Sequence, residues 1–197
     1  MTQQQLRPQI IPKIIYTYYK SPDYIIRHII NTWPKDYKII VLRDKDILNI
    51  LKNAPLQFKI SRYFNDHINY AKLLLLYNNG GIWIDSTTLI KCSLDFVHKY
   101  SFVYFLDKNG NFNTFFVASV AGNKYLFNNN LTNLPRYINY KKFITEDTVL
   151  KYLNNNGWNI EKSLKDLKKI KYPITCFRSH EMEYLYRKGP EFIKYIL

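Results

Sequence analysis

A leucine-rich run that halts at two adjacent glycines and restarts as a short apolar strand sets the architecture this chain can adopt. In LYNNGGIWIDSTTLI, residues 76–90, the run stops at Gly80 and Gly81. The strand GIWID then ends on one carboxylate, Asp85, with Ser86 and Thr87 behind it. The preceding stretch, FNDHINYAKLLLLYNNGG at 64–81, predicts a helix. Asn65 or Asp66 is suited to cap it, and Gly80 or Gly81 to close it in the left-handed conformation. A strand with so continuous an apolar body belongs to a sheet covered on both faces.

The flanking segments extend the pattern. IPKIIYTYY at 11–19 is rich in β-branched and aromatic residues and predicts a strand. SPDYIIRHIINTW follows as a helix, with Ser21 as cap, Pro22 at the first position and Asp23 in the first turn. Ile25, Ile26, Ile29 and Ile30 fall on one of its faces. YKIIVLRD at 37–44 predicts a second strand, and KDILNILKN at 45–53 a short helix stopping near Pro55. SFVYFLD and NTFFVASV are two further strands joined by the turn-forming KNGN. Helical patterns follow at 123–134, 145–157 (with Thr145 as cap), 159–170 and 191–197, with a strand candidate at 171–177.

Strand, helix, strand, helix, helix, strand is the order of an α/β protein. The expectation is one domain over 1–197 with a mostly parallel, Rossmann-like central sheet and helices on both faces. A binding core occupies 11–134 and a helical part 135–197, with neither an internal repeat nor a linker between them. Such sheets bind ligands beyond the carboxyl ends of their strands. Asp85 stands at such an end, so its strand is core and its tip faces a cleft.

Composition bounds the partners. With 197 residues, 47% of them hydrophobic, the chain can build a real core. The net charge of +14 favours anionic partners: nucleic acid, anionic lipid or phosphorylated small molecules. Lysines spread over a solvated surface account for most of that charge. The absence of a concentrated Lys/Arg run and of a recognition motif weighs against nucleic acid. Cys92 and Cys176 have no metal-ligand spacing and read as reduced thiols of a cytoplasmic protein. The first residues lack the pattern of a signal peptide. No run reaches the ~18 apolar residues that cross a bilayer, so membrane contact, if any, is peripheral and electrostatic. The overuse of Asn, Ile, Lys and Tyr reads as drift in an AT-rich genome, bacterial or viral. In the viral case the location is the host cytoplasm.

A carboxylate in an apolar setting must be paired, hydrogen-bonded or bound to metal. Asp85 with Ser86 and Thr87 is a thin ligand set for Mg²⁺ or Mn²⁺, adequate when a diphosphate supplies most of the oxygens. The structural alternative is that Asp85 caps the following turn through its side chain.

NYAKLLLLYNNGGIWIDST resembles the central motif of glycosyltransferases that carry a DxD sugar-binding motif. Their pattern is S-D-x-x-R, three residues, then L-Y-x-x-G-G-x-[YW]-x-D-x-D. The group includes yeast-type initiating mannosyltransferases, glucosylating toxins and capsular-polysaccharide-synthesis proteins, the last often with G-G-I-W-I-D-A-T. IPKIIYTYY is similar to their opening strand, I-P-K-I-I-H-Q-x-W. NTWPKDYKIIVLRD and NTFFVASVAGNKYL are similar to two later segments. The resemblance runs from about Ile11 to Leu134.

What it implies is a GT-A fold and a metal-assisted, retaining hexosyl transfer. The donor would be a nucleotide-diphosphate sugar, and the acceptor a glycan, glycolipid or glycoprotein. Mn²⁺ or Mg²⁺ is the implied cofactor. By position, Asp85 matches the first DxD aspartate and Thr87 the second, normally the direct metal ligand. Asn69 and Lys72 match the aspartate and arginine that contact the donor sugar, and Tyr16 and Thr17 the pair near the nucleotide base. Gly81 and Ser86 complete the implied donor site. A late histidine in this fold often binds metal or phosphate, which makes His180 the third metal candidate and Arg178 a fallback for the diphosphate. Asp85 and Lys72 are the catalytic candidates. Lys keeps the arginine's charge but loses its forked geometry. Two other readings stand beside this one: a basic nucleic-acid-binding module, and a degenerate transferase domain that binds nucleotide sugar without turnover. Donor identity, acceptor, stereochemical outcome and oligomeric state are not legible in the sequence.

Overall fold

The computed structural model describes residues 10–20, 23–52, 54, 64–90, 92–106, 112–123, 126, 174–176, 182–183 and 186–187. In chain order these form β1 (Ile14–Tyr18), α1 (Tyr24–Ile30), β2 (Lys38–Leu42), α2 (Asp44–Leu51), α3 (Phe64–Asn79) and β3 (Gly81–Ile84). Next come β4 (Thr88–Ile90), a 3₁₀ helix (Asp95–Lys99), β5 (Phe102–Leu106), β6 (Phe112–Ser119) and β7 (Ile174–Cys176). The strand–helix order expected for the front half is the order observed, and the protein is α/β.

A sheet of five strands is ordered β2-β1-β3-β6-β5. β1 runs parallel to β2 and to β3, while β6 runs antiparallel to both β3 and β5. The sheet is therefore mixed: β1, β2, β3 and β5 run one way and β6 the other. The reason is local. β5 and β6 are separated only by residues 107–111. A parallel neighbour needs a crossover of a dozen or more residues, so this connection makes a hairpin.

Chain direction also decides which face each helix covers. β1 leads through α1 to β2 on one side, and β2 leads through α2 and α3 to β3 on the other side of β1. Crossovers of one hand running in opposite directions place their helices on opposite faces. The side chains obey this. Ile15, Ile82, Ile84, Phe116 and Ala118 point to one face and pack with Trp33, Leu94, Val97, Ile90 and Ile174. Tyr16, Trp83 and Val117, the intervening residues, point to the other and pack with Ile47 and Leu51 of α2 and Ala71 and Leu76 of α3. The alternation is the period of two that buries both faces of a strand.

Several ends differ from expectation. The cap of α1 is Asp23, in extended backbone, whose carboxylate accepts from the N–H of Ile25 at 2.7 Å and of Ile26 at 3.3 Å. The helix thus starts after Asp23, not at Ser21, and Ser21 and Pro22 lie outside the described residues. α3 already includes Phe64, so Asn65 and Asp66 occupy its first turn and are not caps. Its far end is as expected: Gly80, at φ +66°, donates to Leu76 C=O at 2.9 Å and reverses the chain. The strand expected at 171–177 is β7, but it pairs antiparallel with β4 in a separate small sheet. α1 packs against β4, and Trp33 Nε1 donates to Thr88 C=O at 2.7 Å. The helices expected at 145–157, 159–170 and 191–197 lie outside the described residues.

Candidate functional site

β1 and β3 are neighbours whose connections leave in opposite directions, so the sheet's topological switch point lies between them. The crevice outside their carboxyl ends is where α/β sheets of this kind take ligands. Tyr18 and Tyr19 project from the end of β1, and Asp85, Ser86 and Thr87 follow β3. One face of α3 supplies Asn65, Ile68, Asn69 and Lys72, residues spaced so that they stack on one side of a helix. With Trp83 these residues line a cavity of about 450 Å³, within the size range of small-molecule pockets.

Asp85 is held by its backbone. Its N–H donates to Phe115 C=O at 2.8 Å, and its C=O accepts from Thr88 N–H at 2.9 Å, closing the next turn. The carboxylate has other partners. Oδ1 accepts from the Trp83 indole Nε1 at 2.7 Å and lies 3.7 Å from Lys72 Nζ. The expected alternative, a side-chain cap of the turn, is thus taken over by main chain. The Lys72 ammonium also stands 5.0 Å from the centre of the Trp83 ring, a cation–π distance. Lys72 is 3% exposed and the Asp85 side chain 41%. A buried cation therefore meets a carboxylate that remains open to the cavity.

The tyrosine wall is braced from behind. The Arg43 guanidinium lies 3.9 Å from the centre of the Tyr19 ring and donates to Tyr19 C=O at 2.6 Å. Tyr18 OH donates to Asp44 Oδ1 at 2.5 Å. Burial first, and this bond second, push the Tyr18 hydroxyl up to about 12. Asp44 is thereby committed to Tyr18.

Of the expected site residues, Asn69, Lys72, Asp85, Ser86 and Thr87 meet in this cavity. Tyr16, Thr17 and Gly81 do not. Tyr16 is buried beside Trp83, and Thr17 is fully buried. β1 continues to Tyr18, so the wall is built by the next two residues. Gly81 lies at the opposite end of β3, about 13 Å away at ~3.3 Å per residue. A Cβ there would come within 2.9 Å of Ile14 O and 3.0 Å of Tyr16 Cε2. The glycine answers to strand packing, not to a ligand.

His180 and Arg178 lie outside the described residues. Glu183 is exposed and ion-paired with Arg187, four residues on. Among the described residues no three His, Cys, Asp or Glu side chains cluster as a metal site. His98 is structural, as expected: Nδ1–H donates to Ile11 C=O at 2.8 Å, leaving Nε2 to accept from Tyr37 OH at 2.7 Å.

Tyr18, Tyr19, Ile68 and Trp83 line the cavity without having been expected there, and Asn65 is a wall residue, not a cap. The helical spacing of Asn65, Ile68 and Asn69 with Lys72 was a usable signal for the α3 wall.

No family model matches the chain, and no curated protein matches it.

Proposed function

We propose that the protein is a glycosyltransferase of GT-A type that moves a hexosyl group from a nucleotide-diphosphate sugar to a saccharide or glycolipid acceptor. The observation that carries this reading is the cavity at the β1/β3 switch point, where the Lys72 ammonium and the half-open Asp85 carboxylate stand 3.7 Å apart. In sugar transfer the bond between the anomeric carbon and the diphosphate oxygen breaks. A bond to the acceptor oxygen forms, and the acceptor hydroxyl loses its proton. Lys72 is placed to stabilise the charge growing on the diphosphate. Asp85, Asn65 and Asn69 are hydrogen-bonding groups for sugar hydroxyls, and the Tyr19 ring is an aromatic platform for base or sugar. Most families that the chain resembles retain the anomeric configuration, and retention is part of the same proposal.

Mn²⁺ or Mg²⁺ is the cofactor implied by the resemblance. The described cavity residues fit it poorly: they supply one carboxylate, Asp85, and the hydroxyls of Ser86 and Thr87. The Asp85 oxygen Oδ1 already faces an ammonium and an indole N–H. No step above runs through a metal. Among the described residues no helix is long and apolar enough to cross a membrane. A cytoplasmic location, with the positive surface touching anionic membrane or substrate, belongs to the same proposal.

The test is a panel of common nucleotide sugars, each with and without Mn²⁺, read by melting temperature and by slow donor hydrolysis. At least one donor should raise the melting temperature by binding the folded state and be hydrolysed. Asp85→Ala should lower hydrolysis by about 100-fold, the scale of losing one preorganised charged group. Binding without hydrolysis for every donor would mean a domain that holds nucleotide sugar without turnover. No donor binding, with salt-sensitive DNA or RNA binding that survives Asp85→Ala, would replace this reading with a nucleic-acid module.

A further inference from the structure

We infer that the donor's diphosphate is neutralised by the buried ammonium of Lys72 and that its binding needs no divalent ion. This rests on the nucleotide-sugar reading. Three observations lead to it. Lys72 reaches the cavity from a position that is 3% exposed, so its charge is already desolvated where an anion would arrive. Its distance of 3.7 Å from Asp85 Oδ1 exceeds the ~2.7–2.9 Å of a closed charge-assisted hydrogen bond. The ion pair is therefore a contact that can be exchanged. Finally, Asp85 is the one carboxylate among the described residues lining the cavity, and Oδ1 accepts the Trp83 indole N–H at 2.7 Å. A dication bound there would sit beside a like charge in a weakly screened setting, where repulsion is strong.

The ammonium thus supplies the positive charge that a metal ion would otherwise bring to the diphosphate. When the donor binds, Lys72 exchanges Asp85 for the diphosphate oxygens. The half-exposed carboxylate is then released to accept hydrogen bonds from the sugar hydroxyls. Asn69, about one helical turn before Lys72 on the same wall, is placed to donate to the same anion. The Trp83 ring keeps the ammonium at the cavity floor during the exchange.

The experiment is calorimetric titration of the full chain with UDP, GDP, ADP and CDP, each in EDTA and in Mn²⁺ buffer. The nucleotide that binds should do so in EDTA with an affinity within about threefold of that in Mn²⁺. Lys72→Met should weaken it about tenfold or more, the scale of a hydrogen bond to a charged group. Lys72→Arg should restore most of the loss. Binding that appears only with Mn²⁺ would overturn the inference and leave the nucleotide-sugar reading standing. Undiminished binding by a folded Lys72→Met protein in EDTA would overturn it as well. No binding of any nucleotide in either buffer would bring down both. The wild-type comparison does not depend on how any variant folds.

Discussion

Trp83 is 1% exposed and packs as core, yet its indole N–H holds Asp85 and its ring faces Lys72. Trp83→Phe keeps most of the apolar body and removes the donor. Its loss should lower stability by about 1–3 kcal/mol, combining lost packing and a lost charge-assisted bond. It should also weaken nucleotide binding by freeing the Asp85 carboxylate to rotate. Urea melts and titration check this, and a variant unchanged in both would show that the indole bond orients nothing. The apolar role of Trp83 could be read locally, from a short apolar strand. Its polar role could not, because that depends on where the strand ends relative to a helix folded back over it. The same limit explains the offset along β1. Tyr16, Thr17, Tyr18 and Tyr19 are all plausible strand or wall residues. Only pairing with β2 as far as Leu42 makes Tyr18 the last strand residue.

At the scale of elements, the junction between α3 and β3 admits glycine for reasons of shape. Gly81 has φ +111°, and its Cβ would press on the β1 backbone and the Tyr16 ring. Gly122 has φ +70°, but a Cβ there would meet nothing within 4 Å. The two separate backbone strain from crowding. Gly122→Ala should cost about 1–2 kcal/mol, the penalty of a left-handed alanine. Gly81→Ala should cost about 3 kcal/mol or more, because collision with fixed backbone adds to the strain. Equal losses in urea melts would mean that β1 yields to the added methyl. Elements with strong internal signals were legible: the isoleucine face of α1, the glycine stop of α3, and the turn-forming stretch that joins β5 to β6. β4 was not. Its three residues owe their strand conformation to β7, which arrives from far along the chain.

For the whole molecule, burial raises several acid groups together. Tyr16 and Tyr37 are shifted upward, Tyr18 to about 12 and Cys92 to about 11, with desolvation the first cause in each case. The folded protein therefore keeps these protons at pH values where the unfolded chain has lost them. Protons bound more tightly by the folded state mean that stability falls as pH rises through the unfolded values, 9.0 for Cys and 10.0 for Tyr. The melting temperature should thus decline from about pH 9 upward. Tyrosinate absorbance from these residues should appear with unfolding, not before it. Their ionisation near pH 10 in an intact fold would contradict the burial described. The mixed direction of the sheet and the joining of β1 to β3 at a switch point were only partly visible in advance, since strand order is decided by crossovers and not by any one segment. One arrangement has a consequence for ancestry. The opposed charges of the cavity ride on a single uninterrupted helix–glycine–strand stretch, so their spacing is inherited with that stretch. Insertions between α2 and α3, or beyond β6, leave the spacing of the pair unchanged. Under the proposed function, a chain built this way would keep its grip on the donor while its acceptor changed.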